Sequence, residues 1–194
     1  MPIITLTSDW KPNDIYPGML RGRILQHCPD AVLVDNALGL TPFNSTQAAF
    51  VIRNTFQHYP EGSIHLLAVQ TQEPFLLARS KNHYFIGPDN GMLYLILSEK
   101  PEEIVRLEES EVKHPSFKAL EIFPKVIKGL LDGLKLQELG KPAGEIVERI
   151  PIRPTLEEKA ISGSVVFVDT YENAITNISR ELFTKSVKNR PFEI

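Results

Sequence analysis

Acids close the apolar, β-branched runs of this chain. Asp9 follows Ile3-Ile4-Thr5-Leu6-Thr7-Ser8, Asp35 follows Ala31-Val32-Leu33-Val34, and Asp169 follows Val165-Val166-Phe167-Val168. A carboxylate in such a place offers several acceptor sites, enough to take two neighbouring hydroxyls at once. In open α/β sheets, ligands lie outside the carboxyl ends of the strands. Other reactive side chains are less well grouped. Cys28 is the only cysteine and stands between His27 and Pro29. It cannot build a disulfide framework or a thiolate cluster, and adjacent residues do not face each other across a helix. His65 falls inside an apolar run and reads as a packed histidine. His27, His58 and His83 stand at element ends without metal-ligand spacing, so no metal is expected.

The elements that position these groups alternate in type. Residues 3–7, 31–36 and 63–69 read as buried strands. Between the first two, residues 16–26 read as a helix with Met19, Leu20 and Ile24 on one side. Gly18 and Gly22 share a face there, which points to close packing against a neighbour. Asn44 or Ser45 can cap a helix over 46–58, with Ala48, Ala49, Ile52 and Phe56 as its buried stripe. Residues 75–79 and 84–87 read as a hairpin, and Pro88-Asp89-Asn90-Gly91 as a rigid turn before a helix at 92–97. A strand within 102–107 and a helix over 120–132, with Pro124 in its first turn, complete the first part. The prolines and alternating charge of 141–158 read as a linker. The expected class is α/β: an N-terminal three-layer α/β domain over 1–150, then over 151–194 a linker and the start of a small, mainly β C-terminal domain.

Composition narrows the function classes. The chain has 194 residues, 42% hydrophobic and 23% charged, with a formal charge of -3. That is ordinary globular usage. No Lys/Arg block marks a nucleic-acid footprint, and no apolar run approaches the ~20 residues needed to span a bilayer. A cytoplasmic location, with no nucleic-acid and no membrane partner, is the expectation.

The order of motifs is specific. Thr7-Ser8-Asp9-Trp10, the glycine-spaced helix, Asp35, Pro42, Ala48-Ala49-Phe50-Val51, Tyr59-Pro60-Glu61-Gly62-Ser63-Ile64-His65, Phe85-Ile86-Gly87-Pro88-Asp89-Asn90-Gly91 and Asn173-Ala174-Ile175-Thr176-Asn177-Ile178 follow one another in a fixed sequence. This resembles the S-adenosylmethionine hydroxide adenosyltransferase family, relatives of the adenosyl-fluoride and adenosyl-chloride synthases. The resemblance implies a homotrimer with a small-molecule nucleoside ligand. S-adenosylmethionine is then substrate, not a resident cofactor, and water or halide attacks C5′ as methionine leaves. It also implies a second domain longer than the residues after 150 supply. By the resemblance, Asp9 and Trp10 match the ribose-holding end of the first strand, and Asp169 and Asn173 match the acid and amide that hold the methionine and base portions. Tyr171 keeps the aromatic of a Phe-Gly-Asn segment, with Glu172 in place of its glycine. Asn90 and Gly91 shape a turn.

The hydrolytic residues of that pattern do not carry over. Where hydrolases of the family follow the third strand with Val-Asp-Pro-Gly-Val-Gly and an arginine, this chain has Val69-Gln70-Thr71-Gln72-Glu73-Pro74. The Phe-His-Gly-Arg-Asp-Ile-Phe segment reads Phe117-Lys118-Ala119-Leu120-Glu121-Ile122-Phe123, and the polar pair after the second strand gives way to Ala37-Leu38-Gly39. Acid, base and arginine are thus replaced together, and no residue is assigned a catalytic role. Three functions fit. The chain can be a divergent binder of S-adenosylmethionine with altered transferase chemistry. It can be a non-catalytic trimer in which Trp10, Phe43 or Leu120 fills the nucleoside space. It can be a new enzyme in which Lys118 meets an acid such as Glu73 in an open pocket.

Overall fold

The structure is a computed structural model and describes residues 1–110, 112–188 and 191–193. It falls into two compact units, Met1–Arg149 and Ile150–Ile194. The first holds strands β1 (Ile3–Ser8), β2 (Val32–Ala37), β3 (Ile64–Ala68), β4 (Phe75–Ser80), β5 (His83–Pro88), β6 (Glu103–Leu107) and β7 (Gly140–Pro142). Its helices are α1 (Ile15–His27), α2 (Ser45–Thr55), α3 (Met92–Leu97), α4 (Lys118–Leu131) and α5 (Leu136–Leu139). The strands form one sheet in the order β2-β1-β3-β5-β4-β6-β7. β2, β1, β3 and β5 run parallel, β4 is antiparallel to both β5 and β6, and β7 is antiparallel to β6.

Side chains alternate across the sheet, and each face carries its own core. Ile4 and Leu6 of β1 and Ile64 and Leu66 of β3 pack with Leu20 and Ile24 of α1 and Phe123 and Ile127 of α4. On the other face, Leu67, Leu76 and Phe85 pack with Ala48, Ala49 and Ile52 of α2 and with α3. Helices on both faces of a mixed sheet make three layers. Within the second face sits a buried polar chain. Thr5 Oγ1 lies 2.8 Å from His65 Nδ1, and His65 Nε2 lies 3.1 Å from His83 Nδ1. His65 is thus a packed histidine with both ring nitrogens engaged.

Several local expectations hold. Asn44 caps α2, its side chain accepting from Gln47 N at 3.0 Å. Lys81 and Asn82, both at positive φ, make the two-residue turn of the β4–β5 hairpin. Others are corrected. Met19 is 43% exposed, and Pro17, Leu20 and Ile24 form the buried side of α1. A Cβ at Gly18 or Gly22 would meet nothing within 4 Å, so neither glycine serves a close approach. Pro124 lies inside α4 rather than in its first turn. Its missing N–H leaves the Leu120 carbonyl free, and Arg23 Nη1 of α1 donates to that carbonyl at 3.3 Å. The stretch read as linker begins with β7, whose Lys141 and Pro142 pair with Arg106 and Val105. Leu136–Leu139, read as a turn, is helical.

The second unit holds β8 (Thr155–Leu156), β9 (Ile161–Ser162), β10 (Val165–Val168), β11 (Ala174–Thr176) and α6 (Arg180–Val187). It contains two antiparallel hairpins, β8–β9 and β10–β11. The strand expected over 161–169 is broken between β9 and β10 at Gly163 and Ser164, and α6 was not foreseen. None of the described residues of this unit is fully buried. Among the described residues, no helix of the chain is long and apolar enough to cross a membrane.

Candidate functional site at the strand ends

β1 sends its chain to β2 on one side, while β3 lies on the other. This reversal makes a topological switch point, and the crevice outside the carboxyl ends of β1 and β3 is the place such a sheet offers a ligand. Asp9 and Trp10 leave β1 there. Ser8 pairs with Ala68, so Asp9 and Val69 follow directly on the last paired residues of the two strands. Gln70 comes next.

Asp9 is half-exposed. Its Oδ2 accepts the Phe43 N–H at 3.1 Å. Oδ1 has no hydrogen bond within the described residues. The loop around it is tied down by backbone bonds, from Gly39 N to Trp10 O at 2.8 Å and from Leu40 N to Ser8 O at 3.2 Å. Trp10 is half-buried; its ring lies 5.7 Å from Tyr16, which stacks at 5.5 Å on Phe117. Phe43 is 66% exposed and Leu120 is a core residue.

The loop after β3 is held from two sides. Asn90 Nδ2 donates to Val69 O at 3.2 Å and Asp89 N to Pro74 O at 2.8 Å. Asn90 Oδ1 accepts Met92 N at 3.0 Å, so Asn90 shapes its turn. Gly91 has φ +83°, and a Cβ there would come within 2.3 Å of Arg149 Cγ. From the far side, Lys118 Nζ donates to the carbonyls of Gln72 and Glu73, both at 2.7 Å, and meets Glu109 Oε2 at 3.0 Å. Gln70 itself has φ +54°, a conformation that costs a non-glycine residue ~1 kcal/mol or more. The Gln70 and Thr71 side chains make no hydrogen bond within the described residues.

Lys118 therefore does meet an acid, but the acid is Glu109 and not the carboxylate of Glu73. The ammonium is enclosed, with the residue 7% exposed. Its three hydrogens face four acceptors, which leaves none for a substrate. Glu121 is equally occupied, accepting the N–H groups of Lys113 at 3.2 Å and His114 at 3.0 Å. Sequence reasoning missed Glu109; the pairing spans a loop and carries no spacing rule. Cys28 is buried, and that burial pushes its thiol up from the usual range.

In the second unit, Asp169, Tyr171 and Asn173 share the turn between β10 and β11. Asp169 Oδ1 accepts the backbone N–H of Tyr171 and of Asn173, both at 2.9 Å, and Oδ2 accepts Asn173 Nδ2 at 2.8 Å. The Asn173 amide, then the Asn173 and Tyr171 N–H groups, hold this carboxyl below the usual aspartate range. Tyr171 is 87% exposed. Glu172 has φ +65°, so the turn keeps the left-handed backbone that a glycine would adopt freely.

A cavity of about 470 Å³ opens elsewhere, among β6, β7, α4 and α5, floored by Leu107, Val112, Ile122, Val126 and Leu139. β6 is separated from β1 by three strands, so at ~4.8 Å per strand this hollow is ~20 Å from the switch point. Among its rim acids, Glu108 pairs with Lys141 at 2.7 Å and Glu138 accepts Lys135 N at 2.8 Å. The described residues hold no group of three or more His, Cys, Asp or Glu side chains able to take a metal.

Several known proteins are similar to this chain. A model of the SAM hydroxide adenosyltransferase N-terminal domain matches residues 4–140. An (R)-S-adenosyl-L-methionine hydrolase of Methanocaldococcus jannaschii is 27% identical, the match covering 95% of this chain and 70% of the relative. A fluorinase of Actinopolyspora mzabensis is 25% identical over 93% of this chain and 72% of its own. Among solved structures, a conserved protein of Thermotoga maritima superposes with a TM-score of 0.81 at 30% identity, covering 95% of this chain and 74% of that one.

Proposed function

The chain belongs to the SAM hydroxide adenosyltransferase family, and from that premise we propose that it binds S-adenosylmethionine, with hydrolysis at C5′ much slower than in a hydrolase that has the full acid, base and arginine set. The observation that carries this reading is Asp9: a half-exposed carboxylate at the switch point, with Oδ2 fixed by Phe43 N and Oδ1 unengaged within the described residues. Fixed in that way, it is ready to accept ribose hydroxyls. Asp169 and Asn173 are the residues proposed to hold the methionine and base portions of the ligand, with Tyr171 as the aromatic of their segment. Trp10 is proposed with Asp9 for the ribose end, and the assembly is proposed to be a homotrimer.

The reaction of the hydrolase relatives forms a C5′–O bond and breaks C5′–S. Water supplies the oxygen, methionine takes the sulfur electron pair, and a proton is released. A sulfonium leaves readily, so the protein's work is to align the nucleophile behind C5′ and accept its proton. Gln70, placed where the resemblance expects an aspartate, has a neutral amide that cannot take that proton. Lys118, placed where it expects a histidine, is enclosed by Glu109 and two carbonyls. Loss of general-base assistance alone slows such a step by ~10²- to 10⁴-fold.

The test is an incubation with protein in excess over S-adenosylmethionine, followed by chromatography for adenosine and methionine. The expected result is bound, largely intact S-adenosylmethionine. Turnover at the rate of the Methanocaldococcus hydrolase measured alongside would contradict the proposed loss of hydrolysis.

A further inference from the structure

We infer that Lys118 is a positioning residue: its ammonium acts as a built-in cation that holds the loop after β3 in the conformation it presents at the switch point. The inference rests on the adenosyl-binding reading above for the identity of the ligand, and on the geometry alone for the clamp.

Residues 69–74 connect β3 to β4. The Lys118–Glu109 pair grips this connection at three places. Nζ donates to Gln72 O and Glu73 O at 2.7 Å each, and Glu109 Oε1, 3.2 Å from the same ammonium, accepts the Phe75 N–H at 3.0 Å. The Phe75 ring lies beneath Nζ at 5.2 Å, close enough for the ring face to attract the charge. Two carbonyls, a carboxylate and an aromatic face thus surround one ammonium. The same oxygen set would suit a bound monovalent cation.

The need for such a clamp is visible next door. Gln70 holds φ +54° without being a glycine, and strained conformations persist only where their surroundings over-determine them. The 88–91 turn fixes Val69 and Pro74, and the Lys118 pair fixes residues 72, 73 and 75. Within the described residues the side chains of Gln70 and Thr71, which follow the carboxyl end of β3, make no hydrogen bond. Removing the ammonium would leave two carbonyls facing a carboxylate, and the loop would relax away from that arrangement.

The experiment uses the full chain and Lys118→Ala, with Lys128→Ala as a surface control. Two quantities are read: amide hydrogen exchange across residues 70–75, and affinity for S-adenosylmethionine. Each is measured alone, with propylammonium, which replaces the deleted atoms, and with tetramethylammonium, which has no N–H to donate. The expected result is faster exchange in this segment and affinity weakened by about tenfold or more, both restored by propylammonium only. A folded Lys118→Ala with wild-type exchange or wild-type affinity overturns the inference, as does a deficit that propylammonium leaves unchanged. Should the alanine variant not fold, Glu109→Gln carries the same readouts, and unchanged values there overturn the inference too. A wild-type protein that binds no S-adenosylmethionine removes the adenosyl reading, while the exchange comparison still decides the clamp.

Discussion

Asp9 Oδ2 accepts the Phe43 N–H at 3.1 Å, so the end of β1 is tied to the loop that precedes α2. The bond leaves the carboxylate with one fixed and one unengaged oxygen. Asp9→Asn keeps the shape but removes the charge and half of the acceptor capacity. A hydrogen bond to a charged group contributes about 1.5–3 kcal/mol, so affinity for S-adenosylmethionine should fall by roughly tenfold to a hundredfold, with little change in melting temperature. Titration of both forms checks this; equal affinities would remove Asp9 from the binding set.

Glu172 occupies a left-handed position, φ +65°, at the tip of the β10–β11 turn. Glycine takes that conformation without the Cβ clash that costs other residues about 1–2 kcal/mol. Glu172→Gly should therefore relax the turn, offset in part by the greater freedom of glycine in the unfolded chain. Nuclear magnetic resonance is the direct check: the Tyr171 and Asn173 amides bonded to Asp169 should exchange more slowly in the variant. Faster exchange would mean that Glu172 stabilises the turn by a contact of its own.

His65 is buried between Thr5 and His83. Burial, and secondarily the neighbouring His83, lowers its pKa to about 3. In the unfolded chain a histidine titrates near 6.5. Above that value neither state binds the proton and stability is unaffected. Between about 6.5 and about 3 only the unfolded state binds it, so stability falls as pH falls, by up to ~1.4 kcal/mol per pH unit. Below about 3 the loss levels off. Urea unfolding from pH 7 to pH 4 should show this slope, and His65→Gln should remove about one proton's worth of it. An unchanged slope in the variant would place the acid sensitivity elsewhere.

Arg23 answers a vacancy that Pro124 creates. Its Nη1 reaches the Leu120 carbonyl at 3.3 Å, the acceptor that an N–H at position 124 would otherwise take. Arg23→Met should destabilise the protein by about 1 kcal/mol. The same substitution made on Pro124→Ala, where the helix can close its own bond, should cost clearly less. A double-mutant cycle of unfolding free energies reads the difference; additive effects would show that the contact contributes nothing.

Much of the fold is legible in the sequence because it rests on local rules. Ile4, Leu6, Ile64 and Leu66 mark buried strands by type, the stripe from Ala48 to Phe56 marks α2 by period, and Asn44 marks its start by capping chemistry. What escaped depends on partners distant in sequence. β7 is a strand only because Gly140, Lys141 and Pro142 meet the edge of β6. Met19 fits an apolar side of α1 by spacing, yet the buried side holds Pro17 with the expected Leu20 and Ile24 and leaves Met19 exposed. Pro124 was assigned to a helix start because its compensation comes from another helix. α6 did carry a local signal: Ser179, whose Oγ accepts Leu182 N at 3.1 Å, is an N-cap of the usual kind. At the site, Asp9 was legible as an acid closing a strand, but the enclosure of Lys118 was not, since it needs Glu109 and two carbonyls from a separate loop.

The most direct measurement is a calorimetric titration of the wild-type chain with S-adenosylmethionine, with folding verified in the same sample. The account predicts saturable binding at one site per chain with a dissociation constant in the micromolar range, on the order of -8 kcal/mol. A folded protein that gives no saturable heat, and no shift in melting temperature with the ligand, would contradict it and leave membership of the family as a statement about fold and descent alone.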